Sequence, residues 1–214
     1  MNNEKTKKSV TVDELLDGTS KTDTKADVKA DIITSVPLSD LHTFPNHPYQ
    51  VRQDEALNEL ANSIRESGVL IPALVRPRPK GGYELIAGHR RKAACAIAGV
   101  FEMPVIVRNM DDDTAILAMV NSNSQRENLL PSEKAFAYKM KLEAIKRQGE
   151  RRDLTSDRVG QKSSVEIIAD KSNESKTQVQ RYIRLTNLIR PVLQMVDNGS
   201  IAFNPAVEIS YLAG

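Results

Sequence analysis

The apolar positions follow two rhythms along the chain, and the change between them falls near Pro131. From Ile33, ITSVPLSDL reads as a short strand and turn, followed by a loop marked by Pro45, Asn46 and Pro48. Leu57, Leu60, Ala61 and Ile64 repeat at helical spacing, which predicts an amphipathic helix over 54–67 closed by Gly68. ALVRP and YELIAG read as strands separated by the turn KGG, and Arg90–Ile97 as a helix closed by Gly99. MPVIVRNM reads as a further strand, and Asp111–Asp113 as the cap of the next helix. Strands alternating with short helices predict an α/β or α+β unit over 34–127. Beyond Pro131 the strand signals stop, a long helix is expected over 132–148, and the rest, 128–214, reads as all-helical.

Within that helical part, two capping patterns stand close together: Ser163-Ser-Val-Glu166 and Ser175-Lys-Thr-Gln178. In each, a serine accepts from the backbone N–H three residues on, while the Glu or Gln there reaches back. Two short capped helices around the turn Lys171–Glu174 fit a helix-turn-helix at about 164–188. Asn173 suits a left-handed turn position. Ile168 and Ala169 face the second helix, whose buried stripe is Val179, Tyr182 and Ile183. Its other face carries Ser175, Lys176, Thr177, Gln178, Gln180, Arg181 and Arg184, side chains that reach phosphates and base edges in a major groove. An ordinary helical hairpin with a solvated basic face is the plain alternative.

Charge favours the first reading. The whole chain of 214 residues carries only +2, but Lys139–Arg190 holds thirteen Lys and Arg against seven Asp and Glu. An excess of six positive charges in one half points to a polyanion partner. Residues 1–33 are polar and charged, lack aromatics and are expected to be largely disordered, with a short partner-dependent helix at 10–16. No apolar run approaches the ~20 residues that span a bilayer, and none follows the basic N-terminus, so no membrane partner or secretory signal is expected. The one cysteine, Cys95, excludes an internal disulfide and fits a reducing cytoplasm.

Three polar turns punctuate the N-terminal unit: Ser67–Pro72, Ala87-Gly-His-Arg-Arg91 and Asn121–Arg126. The second places a strand, a glycine and a helix start in succession. Such a start offers free N–H groups and the positive helix end, and two arginines add forked donors. That combination makes a phosphate site physically reasonable.

Together these segments resemble the ParB family of chromosome and plasmid partition proteins, including its nucleoid-occlusion relatives. The resemblance runs from about Val36 to the last residue. It rests on His47-Pro-Tyr-Gln-Val-Arg52, Gly68–Pro72, Ala87–Arg91, Asn123-x-Gln-Arg126 and Asn128-Leu-Leu-Pro-Ser-Glu133, with the helix-turn-helix in the expected place. It implies an α+β chain: a ParB- and sulfiredoxin-like α/β domain that binds CTP with Mg²⁺, then the helical DNA-binding domain. Gly68, Val69, Leu70, Pro72, Ala87, Gly88, His89, Arg90, Arg91, Asn123, Gln125 and Arg126 would form the nucleotide site, with Asn123 also touching the metal. Arg52 would join the DNA contacts. The implied partners are a palindromic centromere-like duplex, a second copy of the chain, and a Walker-type partition ATPase engaged by the N-terminal tail. The implied location is cytoplasmic, on nucleoid or plasmid. A ParB-like regulator without a partition role shares every motif.

The chain departs from the family at Ile71, usually Gln, at His89, usually Glu, and at Ser122, also usually Glu. Phosphate cradling survives these changes, but two carboxylates suited to orienting water or metal are gone, so binding with slow or no hydrolysis is expected. The chain stops at Gly214, where family members usually continue into a dimerisation domain. It is expected either to be a truncation or to dimerise through the remaining parts.

Enzyme readings fare worse. Sulfiredoxin needs a cysteine in a Gly-Cys-His-Arg loop, but here Gly88 runs directly into His89-Arg90, and Cys95 sits among alanines as a core residue. A kinase needs an acidic base, for which Glu84 and Glu127 lack any supporting motif. His42, His47 and His89 match no metal-ligand spacing, and Tyr49 and Tyr138 read as packing residues.

Overall fold

The computed structural model describes residues 32–124, 126, 128–153 and 163–212. The expected N-terminal tail and its helix, Gln125 and Glu127 lie outside them. Five strands form one sheet: β1 (Ile33–Pro37), β2 (Leu41–Thr43), β3 (Ala73–Pro77), β4 (Tyr83–Ala87) and β5 (Glu102–Val107). Their spatial order is β1-β5-β3-β4-β2. The β1/β5 and β3/β4 pairs are antiparallel, and β3/β5 and β2/β4 are parallel. The register shifts between Leu74 and Val75, opposite the end of β4.

Side chains alternate across the sheet with the period of two that pleating imposes. Ala73, Val75, Leu85, Met103 and Val105 face one side, where helices α1 (Glu55–Ser67) and α2 (His89–Ala98) cover them with Leu57, Ala61, Ile64, Ala94 and Cys95. Leu74, Ile86 and Ile106 face the other, against Ala115, Ile116 and Met119 of α3 (Asp112–Asn123) and Ala137 and Ala144 of α4 (Pro131–Asp153). Cys95 is fully buried in the first of these cores.

Helix α4 also serves the second half of the chain. Its Ala135 joins a core with Leu185, Leu193, Val196 and Val207, and its Tyr138 one with Ile168, Ala169 and Val179. These residues come from α5 (Ser164–Ser172), α6 (Lys176–Leu185), α7 (Arg190–Asp197) and α8 (Phe203–Ile209). At its start, Ser132 donates from backbone N and from Oγ to the Asp197 carboxylate, at 2.9 and 2.6 Å. A remote acid thus caps the helix that joins the two parts, and its negative charge suits the positive helix end.

Several local predictions need adjustment. Helix α2 begins at His89, one residue before the expected start, because Gly88 caps it in a left-handed conformation with φ 115°. Strand β1 begins at Ile33, as expected. Strand β2 has no strong sequence signal of its own; it pairs at Leu41, His42 and Thr43 with β4.

Candidate functional site

A cavity of about 480 Å³ opens where β4 runs into α2. That volume lies within the range of small-molecule sites. Its wall gathers segments that are far apart in sequence: His47–Val51, Ile71 and Pro72, Ala87–Arg91, Asn121–Asn123 and Arg126.

The floor is the start of α2. Gly88 supplies the turn, and the first intrahelical bond there runs from Lys92 N to the Gly88 carbonyl at 3.0 Å. The N–H groups of His89, Arg90 and Arg91 therefore precede the helical ladder, as the first turn of any helix requires. A Cβ on Gly88 would lie 2.8 Å from the Ala73 Cβ, so only glycine lets α2 approach β3 this closely.

The two arginines that follow act as struts. Arg90 bonds the Asp54 carboxylate at 3.0 and 3.3 Å, and Asp54 also caps α1 by accepting from Leu57 N at 2.9 Å. The Arg90 guanidinium holds the Asp54 carboxyl below the usual carboxylate range. Arg91 donates to the carbonyls of Ile71 and Pro72 at 2.5 and 2.6 Å, fixing the turn that ends at Pro72. Phosphate oxygens entering here would meet donors already held in place, and would compete with carbonyls and one carboxylate for them.

Two more contacts join the motif segments. Glu133 of α4, 1% exposed, accepts from Gln50 N at 2.8 Å and Leu130 N at 3.0 Å. Arg52 donates to the Asn128 carbonyl at 3.0 Å. On the opposite wall, Asn123 Nδ2 donates to the Met119 carbonyl at 2.9 Å, and Asn121 Oδ1 accepts from Lys141 Nζ at 3.1 Å. Lys141 is buried, and burial, with Lys171 nearby, pushes its ammonium down to about 8.

Of the residues expected at a nucleotide site, Pro72, Ala87, Gly88, His89, Arg90, Arg91, Asn123 and Arg126 line the cavity. Gly68, Val69 and Leu70 do not: Val69 packs toward the core and Leu70 is 79% exposed. Gln125 lies outside the described residues. Sequence reasoning missed His47, Gln50 and Asn121 as wall residues, although all three stand in or beside segments it singled out. Tyr49, read as packing, is buried and also forms part of the wall. Its hydroxyl is pushed up by burial and by Glu133. His47 and His89, distant in sequence, lie with ring centroids 3.8 Å apart and their planes tilted by 41°. Burial lowers the pKa of both, to about 3 for His89, where His47 and Lys92 add to the effect.

No carboxylate lines the cavity among the described residues, and among them no three potential ligands cluster for a metal. Glu84 is engaged elsewhere, by Arg76 at 2.7–2.8 Å. The neutral amides at 121 and 123 form a poor cage for Mg²⁺, which prefers carboxylate oxygens.

The second candidate surface is α5–α6. Ser163 and Glu166 form the full reciprocal cap, and Asn173 turns the chain at φ 53°. Ser175 accepts from Gln178 N at 3.1 Å and starts α6. Lys176, Thr177 and Gln180 are exposed along one side of α6, while Gln178, Arg181 and Arg184 are half-buried. Lys176 pairs back to Glu166. Arg181 donates to Asn204 Oδ1 at 2.9 Å, and Arg184 lies 4.3 Å from the Tyr211 ring centroid. Arg52 sits far along the chain from this face, bonded to the Asn128 carbonyl.

A mixed sheet with a strand–glycine–helix cavity, joined by one shared helix to a helix-turn-helix, defines the class of the molecule. Residues 22–124 match the ParB N-terminal domain. The probable chromosome 1-partitioning protein ParB of Deinococcus radiodurans is 39% identical over 74% of this chain and 49% of its own length. The C-terminally truncated ParB of Caulobacter crescentus complexed to the centromeric parS site is 29% identical, with TM-score 0.52, over 83% of this chain and 84% of that one. The same protein complexed with CTP-gamma-S is 31% identical, with TM-score 0.41, over 84% and 92%. The chain belongs to the ParB family. It spans about half the length of the curated relatives it matches.

Proposed function

We propose that this chain is a partition protein that binds a centromere-like DNA site through α5–α6 and a nucleotide, CTP, in the cavity. The observation that carries the reading is the cavity itself. Its helix start, its three arginines and its amides are suited to a polyphosphate, and α4 links it directly to the helix-turn-helix. The cytosine base comes from family membership; the residues account for the phosphates.

Nucleotide would act as the switch of a dimeric clamp on DNA. Binding that rearranges the wall at Asn121 or Gln50 acts on α4, through Lys141 and Glu133, and α4 packs on α6. The palindromic site follows from a two-fold dimer. A Walker-type ATPase would engage the N-terminal tail, and the protein would associate with nucleoid or plasmid. Among the described residues, no helix is long and apolar enough to cross a membrane.

Mg²⁺ fits poorly. The described wall brings no carboxylate to it, so the expected contact from Asn123 would be a neutral one and no step is assigned to the ion. For the same reason hydrolysis is slow or absent, since neither His89 nor Ser122 can supply a carboxylate for water or metal. A genome-wide pull-down tests the DNA half. A few enriched palindromic sites are expected, and a flat profile would rule it out.

A further inference from the structure

The charged side chains lining the cavity are of one sign among the described residues: Arg90, Arg91 and Arg126. Arg90 is committed to Asp54, and Arg91 to two carbonyls. Beside them stand two imidazoles from different segments, His47 before α1 and His89 at the first position of α2.

The hydrogen on His47 is fixed by its partner. His47 Nδ1 lies 2.8 Å from the Tyr49 carbonyl oxygen. A carbonyl only accepts, so Nδ1 donates, and Nε2 of the neutral ring carries a lone pair. Nε2 of His47 and Nε2 of His89 are both shut off from water and have no hydrogen-bond partner. A neutral ring in the wall brings no charge to an entering phosphate, whereas a proton on either ring puts a positive charge close behind the wall, which attracts a polyanion without a direct hydrogen bond.

We infer that His47 and His89 form the proton-accepting pair of the cavity, so that a polyphosphate is bound together with a proton taken from solvent. This rests on the reading that the cavity holds nucleotide phosphates. The proton adds to one imidazole nitrogen, and no other bond forms or breaks. One charge per pair is the natural limit, because the ring centroids are only 3.8 Å apart and a second proton would meet the first.

The surroundings keep the empty pair neutral. Arg90, Arg91 and Lys92 stand on the same helix as His89, and Arg126 faces His47 from beyond α3. Asp54 is neutralised by Arg90. Tyr49 presents its carbonyl, and Glu133 of α4 is the acid that favours a charged His47. An arriving polyanion reverses this balance. The pair then supplies positive charge without a divalent ion, at a position where the family usually carries a carboxylate.

The test is calorimetry of the full chain with CTP in EDTA, in two buffers of equal pH and different ionisation enthalpy. Uptake of about half a proton at pH 7, rising to about 0.9 at pH 6, is expected, with affinity about tenfold higher at pH 6 than at pH 8, as for one group whose pKa rises to near 7 on binding. The uptake should fall sharply in the double variant His47→Gln/His89→Gln, checked for folding by circular dichroism, with the single variants showing which ring carries the proton. CTP binding with pH-independent affinity and no uptake would overturn the pair and leave the nucleotide reading intact. Uptake that persists undiminished in the double variant belongs to the ligand's own phosphate and equally overturns it. Inorganic tripolyphosphate forms the second arm. If it binds with uptake while CTP does not bind, the pair stands and the nucleotide reading falls; if neither binds at either pH, both fall.

Discussion

Gly88 and Ala73 are so close that a methyl group on the glycine would stand 2.8 Å from the alanine Cβ. Gly88 also has φ 115°, a region that favours glycine. Strain and overlap therefore act together in Gly88→Ala. A loss of roughly 2–4 kcal/mol of stability is expected from the two effects combined. Denaturant unfolding measures it, and the same variant should lose nucleotide affinity because the α2 start is displaced. A change within experimental scatter would show that α2 can shift freely away from β3.

The two histidines set an acid limb in the empty protein. His89 has its folded pKa lowered to about 3 from an ordinary 6.5, and His47 is lowered as well. Above pH 6.5 both states leave the rings neutral and stability is full. As pH falls below 6.5 the unfolded chain binds protons that the folded one refuses, so stability drops, by about 2 kcal/mol at pH 5 for His89 alone. His89→Gln should flatten that limb. Parallel pH curves for wild type and variant would contradict it.

Lys141 behaves in the opposite range. Its folded pKa of about 8 lies below the ordinary 10.5, so below pH 8 the folded state carries a charge that burial disfavours. That cost fades as pH rises toward 10.5, where both states are neutral. Lys141→Met should be more stable than wild type by roughly 1–3 kcal/mol at pH 7, after allowing for the lost Asn121 bond, with the gap closing by pH 10. A gap that stays constant with pH would show that charge is not its cause. The same variant frees Asn121 from α4, and weaker coupling between nucleotide and DNA binding is expected.

Local signals were readable where chemistry between near neighbours decides the structure. Asp111 caps α3 through Thr114 N, Ser163 and Glu166 form their reciprocal cap, and Asn173 takes the left-handed turn, all as the residues suggest. ALVRP and YELIAG read as strands, and they form β3 and β4. What stayed hidden depends on long-range contact. Strand β2 exists because β4 offers an edge, Ser132 is capped by Asp197 from 65 residues away, and His47 meets His89 across the cavity. The phosphate arginines were legible, but not that Arg90 braces Asp54 and Arg91 braces the Pro72 turn. Nor was it legible that Arg181 bonds Asn204 of α8 and that Arg184 lies against the Tyr211 ring.

That holding makes a distinction within α6 testable. Lys176, Thr177 and Gln180 are exposed near the helix start, the part of a recognition helix that meets base edges. Arg181 is already oriented by Asn204 and lies 5.6 Å from the Phe203 ring centroid. Gln180→Ala should relax sequence preference, with a loss of about 1–3 kcal/mol on the specific site only. Arg181→Ala should weaken specific binding by a similar amount if it reads a base, and should lower affinity across all sequences with a smaller salt slope if it holds a phosphate. Fluorescence anisotropy against specific and scrambled duplexes separates these. Unchanged binding in both variants would remove α6 from the DNA interface.

The central claim is that the cavity at the Gly88–Arg91 helix start holds a nucleotide by its phosphates. Calorimetry of the four ribonucleoside triphosphates, with the specific duplex present, tests it most directly when wild type is paired with Arg91→Ala. The account predicts that CTP binds more tightly than ATP, GTP or UTP, and that Arg91→Ala loses this binding because the Ile71–Pro72 carbonyls are released and a donor is removed. No binding of any of the four, or CTP binding untouched by Arg91→Ala, would contradict it, whereas equal affinity for all four would remove only the base preference.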